Sequence, residues 1–345
     1  MAETESIQKM AELASQEIFS VFGWEQLPLM NQNWECVEPK KHRKQRKSKT
    51  HPSDTVFKYV DPYSGEDTYV NTDLKSYAKT TLDSADLTKT LRDLGHSTEC
   101  ANKSSNWKSL FVNQKRNHLV IGMLFVYNHD GGYDKDFAGE LASVAPSQIE
   151  FDPTSFVGVV GPERVIYLNS ITKDLKALQA DGLLPEKHNR WFVFPHLSRS
   201  AAVHKASPSA PLGALLSPLI VVGYEFPESA KAPTDASAGQ WHRRGLYAYY
   251  DGPGESLDEF KYLLDYFFKY QLEDEKTRIV INLVFPHADA SAIFALAKKE
   301  YARDYWAGSE NSKEEFQAVL DNIQLRHVQS VVQKFSQTNL GMIRT

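Results

Sequence analysis

The stretch Asp54-Thr-Val-Phe-Lys-Tyr-Val-Asp-Pro-Tyr-Ser-Gly-Glu-Asp-Thr-Tyr-Val-Asn-Thr-Asp-Leu-Lys75 decides the reading of this chain. Its middle, Pro62-Tyr63-Ser64-Gly65, carries proline early and glycine late, the chemistry of a four-residue turn. β-Branched and aromatic residues, the preferred strand formers, lie on both sides. A turn centred between Tyr63 and Ser64 predicts a hairpin in which Asp61 faces Glu66, Tyr59 faces Thr68, Phe57 faces Val70 and Asp54 faces Asp73. Opposed side chains on antiparallel strands have Cβ atoms about 4.5–5.5 Å apart, so two carboxylates placed this way repel. A divalent cation between them reverses that sign. Side chains alternate along a strand, so Lys75 shares a face with Asp73.

Two acids and a lysine on one face suit metal-assisted phosphodiester hydrolysis. Magnesium takes hard oxygen ligands and keeps several waters. It polarises a phosphoryl oxygen and lowers the pKa of a bound water. The lysine offsets charge developing on the phosphate or steers the attacking water.

Working outward, residues 4–22 read as a helix, with Ile7, Met10, Leu13, Ala14, Ile18 and Val21 recurring at spacings of three and four and Gly23 at its end. Glu17 falls on that stripe, where a carboxylate needs a reason, while Glu12 points away. A short strand is expected near Trp34–Val37. Residues 40–49, KKHRKQRKSK, hold seven Lys/Arg in ten: Lys40, Lys41, Arg43, Lys44, Arg46, Lys47 and Lys49. Four residues before the hairpin, they read as phosphate contacts that make binding salt-dependent.

With these residues in view, the chain resembles the PD-(D/E)XK, or restriction-endonuclease-like, nuclease superfamily. The motif is Ser53-Asp54, eighteen intervening residues, then Asp73-Leu74-Lys75. Glu17 matches the acid that the family often adds from its first helix, and the order helix, strand, metal-site hairpin, helix, strand is similar too. The family's proline is missing at position 53, where this chain has serine, and Pro52 stands one step away. The resemblance covers about residues 5–130. It implies an α/β fold with a central mixed sheet flanked by helices. Asp54, Asp73 and Glu17 would be the ligands of Mg2+ or Mn2+, Lys75 would be catalytic, and DNA, rather than RNA, would be the usual substrate. Family habit further implies a component of prokaryotic antiviral defence, working as a homo-oligomer or in a hetero-complex with a second defence protein. The competing reading is an inactive nucleic-acid-binding or assembly subunit of such a complex.

Asp/Glu-x-Lys occurs five times, beginning at Glu38, Asp73, Asp174, Glu259 and Asp274. Asp73 alone combines a strand context with a facing acid. The acids nearest the turn, Asp61, Glu66 and Asp67, are expected to solvate it. Asn128-His129-Asp130-Gly131-Gly132 reads as a tight loop, because a metal site of the His-Asp type needs further histidines at helical spacing.

Beyond the hairpin, a helix is expected over 84–95, ending at Gly95, with strands at 118–127, 164–168 and 190–195 and a helix at 170–183. Residues 198–217 and 226–240 have loop composition. The boundary is set between a nuclease-like domain, 1–205, and a smaller C-terminal α/β domain, 206–345, that offers a partner or oligomer interface. In the second domain, strands are expected near 219–225, 245–250 and 278–285. Helices are expected near 256–272, 288–305 and 313–323, the first with a broad aromatic face.

The 345 residues suffice for two domains, and 41 % apolar with 12 % aromatic content fits a folded protein. A net charge of −5 leaves nucleic-acid binding to local charge placement. The two cysteines, Cys36 and Cys100, exclude a disulfide framework and lack a CxxC spacing, so they read as ordinary reduced thiols. The acidic start has no signal-like apolar region, and no run approaches the ~18 apolar residues of a membrane span, so a cytoplasmic location is expected. Walker A, GxSxG and GxGxxG patterns are absent, which removes support for ATPase, α/β-hydrolase and dinucleotide roles.

Overall fold

The computed structural model describes residues 2–42, 49–77, 84–112, 117–133, 136–145, 147, 149, 155–197, 202–233, 241–272, 277–305 and 310–331. Two compact units emerge, Met1–Asn169 with Ser209–Leu216 and Ser170–Pro208 with Ser217–Val331.

The first unit opens with α1 (Ala2–Val21), β1 (Glu25–Gln26), β2 (Gln32–Glu35), a single helical turn α2 (Pro39–His42) and β3 (Thr50–Ser53). The hairpin follows as β4 (Thr55–Val60) and β5 (Asp67–Tyr77). After it come α3 (Ser84–Lys103), α4 (Ser105–Phe111), β6 (His118–Asn128), α5 (Phe137–Ala142) and β7 (Val157–Val160), and then α6 (Pro162–Ala180), which crosses the boundary. The central sheet has the order β1-β4-β5-β6-β7, with β1, β4 and β5 antiparallel and β5, β6 and β7 parallel. β2 and β3 form a separate ribbon.

The hairpin register is the one the turn predicts: Tyr59 faces Thr68 and Phe57 faces Val70, and the ladder ends at Thr55 opposite Thr72. Asp61 does more than solvate the turn. Its Oδ1 accepts the N–H groups of Tyr63 and Ser64, both at 2.9 Å, and Gly65 supplies the positive φ of 74°. Asp67 instead pairs with Lys58 at 3.1 Å.

Strand alternation then divides the two sheet faces. Phe19 of α1 packs edge-on against Phe57 and Phe125, centroids 5.1 and 5.8 Å away, so α1 covers the face of Phe57, Val70 and Phe125. On the opposite face Tyr69, Val56 and Val120 pack with Trp107 and Cys100, and Leu124 and Val126 pack with Leu87, Leu91 and Leu94 of α3. Each such burial contributes about 1.5–3 kcal/mol. Where α3 crosses β6, a Cβ on Gly122 would lie 2.6 Å from Thr98 Oγ1, so only glycine admits the helix at that distance.

The expected helix end at Gly95 is wrong: α3 continues to Lys103. Ser97 bonds Asn71, Glu99 bonds Lys41, and Asn102 bonds Val120, long-range partners that hold the second half in place. The strand expected at 164–168 lies inside α6. Pro162 at the first helical position and buried Val165, Leu168, Ile171, Leu175 and Leu178 at helical spacing outweigh the β-branched run.

The second unit contains β8 (Arg190–Leu197) and β9 (Ala202–Ser207). After α7 (Leu212–Leu215) of the first unit, it continues with β10 (Leu219–Glu225), β11 (Arg244–Tyr250), α8 (Leu257–Lys269), β12 (Arg278–Leu283), α9 (Ala290–Tyr305), α10 (Glu310–Asp321) and β13 (Ile323–His327). Its sheet runs β13-β12-β11-β10-β8-β9, with β11, β12 and β13 parallel. β8 pairs β10 within this sheet, so strands that the sequence reading left before residue 205 lie in the second unit. Phe260, Leu263, Leu264 and Phe267 of α8 are buried in its core, while Tyr262 is 70 % exposed. Among the described residues, no helix is long and apolar enough to cross a membrane.

Candidate active site

β3 leads directly into Asp54, and the junction is clamped by a buried polar chain. Ser53 Oγ accepts from Trp34 Nε1 at 3.0 Å and from Trp107 Nε1 at 3.3 Å, and donates to Asn71 Oδ1 at 2.6 Å. Asn71 Nδ2 in turn donates to Ser97 Oγ on α3 at 2.9 Å. The serine that replaces the motif's proline is therefore the fixed point that delivers Asp54 to the edge of β5. The backbone carbonyl of Asp54 is held from the other side by the N–H of Asn31 at 2.8 Å.

Asp54 lies one step beyond the last ladder pair, and its side chain turns toward β5. Oδ2 accepts the N–H of Leu74 at 2.8 Å, between Asp73 and Lys75. Asp73 and Lys75 are ion-paired with each other and stay partly open, at 21 % and 35 % exposure. Asp73 and Lys75 alternate with buried Leu74 and share the sheet face of Asn71, toward α3.

The electrostatics carry the mark of a buried acid with a second acid beside it. Burial, and next the Asp73 carboxylate, raise the Asp54 pKa from 3.8 to about 6, against the opposing pull of the Leu74 N–H and Lys75. Burial by itself would lower the Lys75 pKa, but the charges of Asp73 and Asp54 outweigh it and the ammonium is held more firmly than usual. A hard divalent cation fits this donor set. It would bond carboxylate oxygens that now repel each other, and two carboxylates with waters and a substrate phosphate make an ordinary magnesium environment.

The other expected site residues fare differently. Glu17 is half-buried on α1, whose aromatic residues cover the sheet face opposite Asp73 and Lys75. Among the described residues, it is not gathered with Asp54 and Asp73 into a three-ligand group. Glu12, expected to point away, accepts from Asn31 Nδ2 at 3.3 Å and so touches the residue that holds the Asp54 backbone. In the basic run, Lys41 is engaged by both oxygens of Glu99, at 2.9 and 2.8 Å, while Lys40 and Lys49 are exposed. Arg43, Lys44, Arg46 and Lys47 lie outside the described residues. The loop after β6 is the tight turn expected: Asp130 Oδ1 accepts from Asn128 Nδ2 and the Gly132 N–H.

Residues 1–164 match the family model described as the GAPS4 protein PD-(D/E)XK nuclease domain. No curated protein and no solved structure gives a match.

Proposed function

Taking residues 1–164 as a PD-(D/E)XK nuclease domain of the GAPS4 kind, we propose that this chain hydrolyses DNA phosphodiester bonds with Mg2+ or Mn2+ held by Asp54 and Asp73, in prokaryotic defence against foreign DNA. The observation that carries the reading is the convergence of Asp54 on the Asp73-Leu74-Lys75 strand. The defence role follows from the defence association of the family.

When bound, the cation supplies Lewis acidity and an activated water. The chain's own residues do the rest. Asp54 and Asp73 present oxygens from a rigid strand edge. Lys75, kept cationic by both acids, serves as a charge donor to the phosphate and the leaving oxygen, because an ammonium with a raised pKa is a poor general base near neutrality. The sequence reading adds Glu17 as a third ligand. With Glu17 on the helix that covers the other face, Asp54 and Asp73 are the minimal pair. Lys40 and Lys49 would contact DNA phosphates beside them.

The test is cleavage of plasmid and linear DNA, with RNA as competitor, in magnesium, manganese or chelator. The expected result is metal-dependent cutting by the wild-type chain that Asp73→Ala and Lys75→Ala abolish and Glu17→Ala largely spares. Equal cutting by all variants would place the chemistry elsewhere. Metal-independent DNA binding without cutting, with every candidate partner added, would favour the inactive-subunit reading.

A further inference from the structure

A second group of ligands lies at the other end of β3. Cys36 follows β2, His42 ends α2, His51 sits in β3 and Cys100 sits in α3; one donor atom from each gathers within 4.8 Å of all the others. The sulfurs of Cys36 and Cys100 are 3.8 Å apart, and His42 Nδ1 is 3.4 Å from the first and 3.5 Å from the second. Zinc–sulfur bonds of about 2.3 Å and zinc–nitrogen bonds of about 2.0–2.1 Å at a tetrahedral angle require edges of about 3.8 Å between sulfurs and about 3.6 Å between sulfur and nitrogen. The three edges among Cys36, Cys100 and His42 have the lengths of a zinc tetrahedron, and His51 brings a ring nitrogen within 4.8 Å of them. They are far from the ~2.05 Å of a disulfide.

We propose that Cys36 Sγ, Cys100 Sγ, His42 Nδ1 and a ring nitrogen of His51 bind one structural zinc ion. All four vertices come from protein, which leaves no open position and marks the site as structural. Thiolate and imidazole donors select zinc over the hard cations suited to Asp54 and Asp73. As each Zn–S bond forms, the thiol proton passes to solvent, and no redox step is involved.

The surroundings fit a ligand shell. His42 and His51 are 2 % and 1 % exposed and Cys100 is fully buried. Glu99 Oε2 lies 3.7 Å from His42 Nε2, the nitrogen turned away from the sulfurs. In zinc sites a carboxylate commonly receives the second N–H of a ligating imidazole, and Glu99 stands on that side of His42 without yet closing a hydrogen bond. Glu99 is itself fixed by Lys41 at 2.8 Å and Lys103 at 3.0 Å. His96 stacks on His42 with centroids 4.1 Å apart. The ion would join the β2–β3 ribbon and α2 to α3, three residues before Asp54, whether or not the hairpin cleaves DNA.

The experiment uses the full chain, expressed with zinc and analysed by elemental mass spectrometry, then reloaded with cobalt(II). We expect about one zinc per chain. The cobalt form should absorb as a tetrahedral site with thiolate-to-metal charge transfer. Cys36→Ser, at the less buried sulfur, should lose about half of that charge-transfer intensity, and Asp73→Asn should keep both zinc and spectrum. Chelation should lower the melting midpoint by ~10 °C. Zinc-free protein after zinc loading overturns the proposal. So does a cobalt spectrum without thiolate bands, a Cys36–Cys100 disulfide in unreduced protein, or loss of zinc in Asp73→Asn with retention in Cys36→Ser.

Discussion

His51 and Asp54 are three residues apart on one segment of chain, yet they belong to groups of opposite chemistry. At Asp54 the donors are hard oxygens, partly open to solvent, with a lysine beside them. At His51 they are sulfurs and imidazoles, all buried except the half-buried Cys36, and four in number. In the first group, burial and then the neighbouring Asp73 charge raise the Asp54 pKa. The second would become a crosslink as two thiols give up their protons to a zinc ion and two imidazoles lend it a ring nitrogen. On the proposed reading, a site for turnover is left open to its substrate, whereas a site for architecture uses all four of its vertices for the chain. Ser53, hydrogen-bonded to Trp34, Trp107 and Asn71, is the rigid joint between them.

The largest effect that would break the comparison is on cleavage. Asp54→Ala or Asp73→Ala should lower the rate on the order of 10³-fold or more, read in a single-turnover DNA cleavage assay. Lys75→Ala should cost about 10²–10³-fold. None of the three should change zinc content. If zinc content falls with them, the two groups are one site.

The next effect is on pH. Because the folded Asp54 pKa lies above its unfolded value, protonation favours the folded state. That stabilisation is complete below about pH 4 and is lost as pH rises through about 6. In chelator, melting curves between pH 4 and 7 should therefore show wild type losing ~1–3 kcal/mol that Asp54→Asn does not lose. Added magnesium should restore wild type and leave Asp54→Asn unchanged. Cleavage should follow the opposite limb, falling below about pH 6 as the ligand takes up a proton.

A smaller effect tests the joint. Ser53→Ala orphans two buried indole N–H groups and Asn71, and should destabilise the chain by ~2 kcal/mol in urea titration. It should also weaken cleavage with Asp73 intact. Ser53→Pro restores the motif's residue but removes the hydroxyl, and should not rescue stability. The smallest effect is on DNA affinity: Lys40→Ala and Lys49→Ala should each reduce the salt slope of binding by about one phosphate contact.

The hairpin was readable because its information is local. A turn signal fixes the register, and register with period-two alternation fixes which side chains share a face, so the pairing from Thr55–Thr72 to Val60–Asp67 followed from spacing. The zinc-type group was not readable, since its Cys36-x5-His42-x8-His51-x48-Cys100 spacing matches no local ligand pattern. The same holds for the length of α3, whose second half rests on partners from β5, β6 and α2. Glu17 shows the limit of the same reasoning. The helix stripe correctly turned it toward the protein, but the stripe cannot say which face of the sheet the helix covers.

Sequence alone specified the elements whose signals act over a few residues: the turn at Pro62–Gly65, the strand pairing on either side of it, and the shared face of Asp73 and Lys75. Only the tertiary structure decided what lies across from those elements. It set α1 and α3 on opposite faces of the sheet and brought Cys100 down onto Cys36, His42 and His51. The physical reason is that steric alternation and turn chemistry are written in neighbouring residues, while helix placement is settled by packing shape, as at Gly122 and Thr98, between segments far apart in the chain.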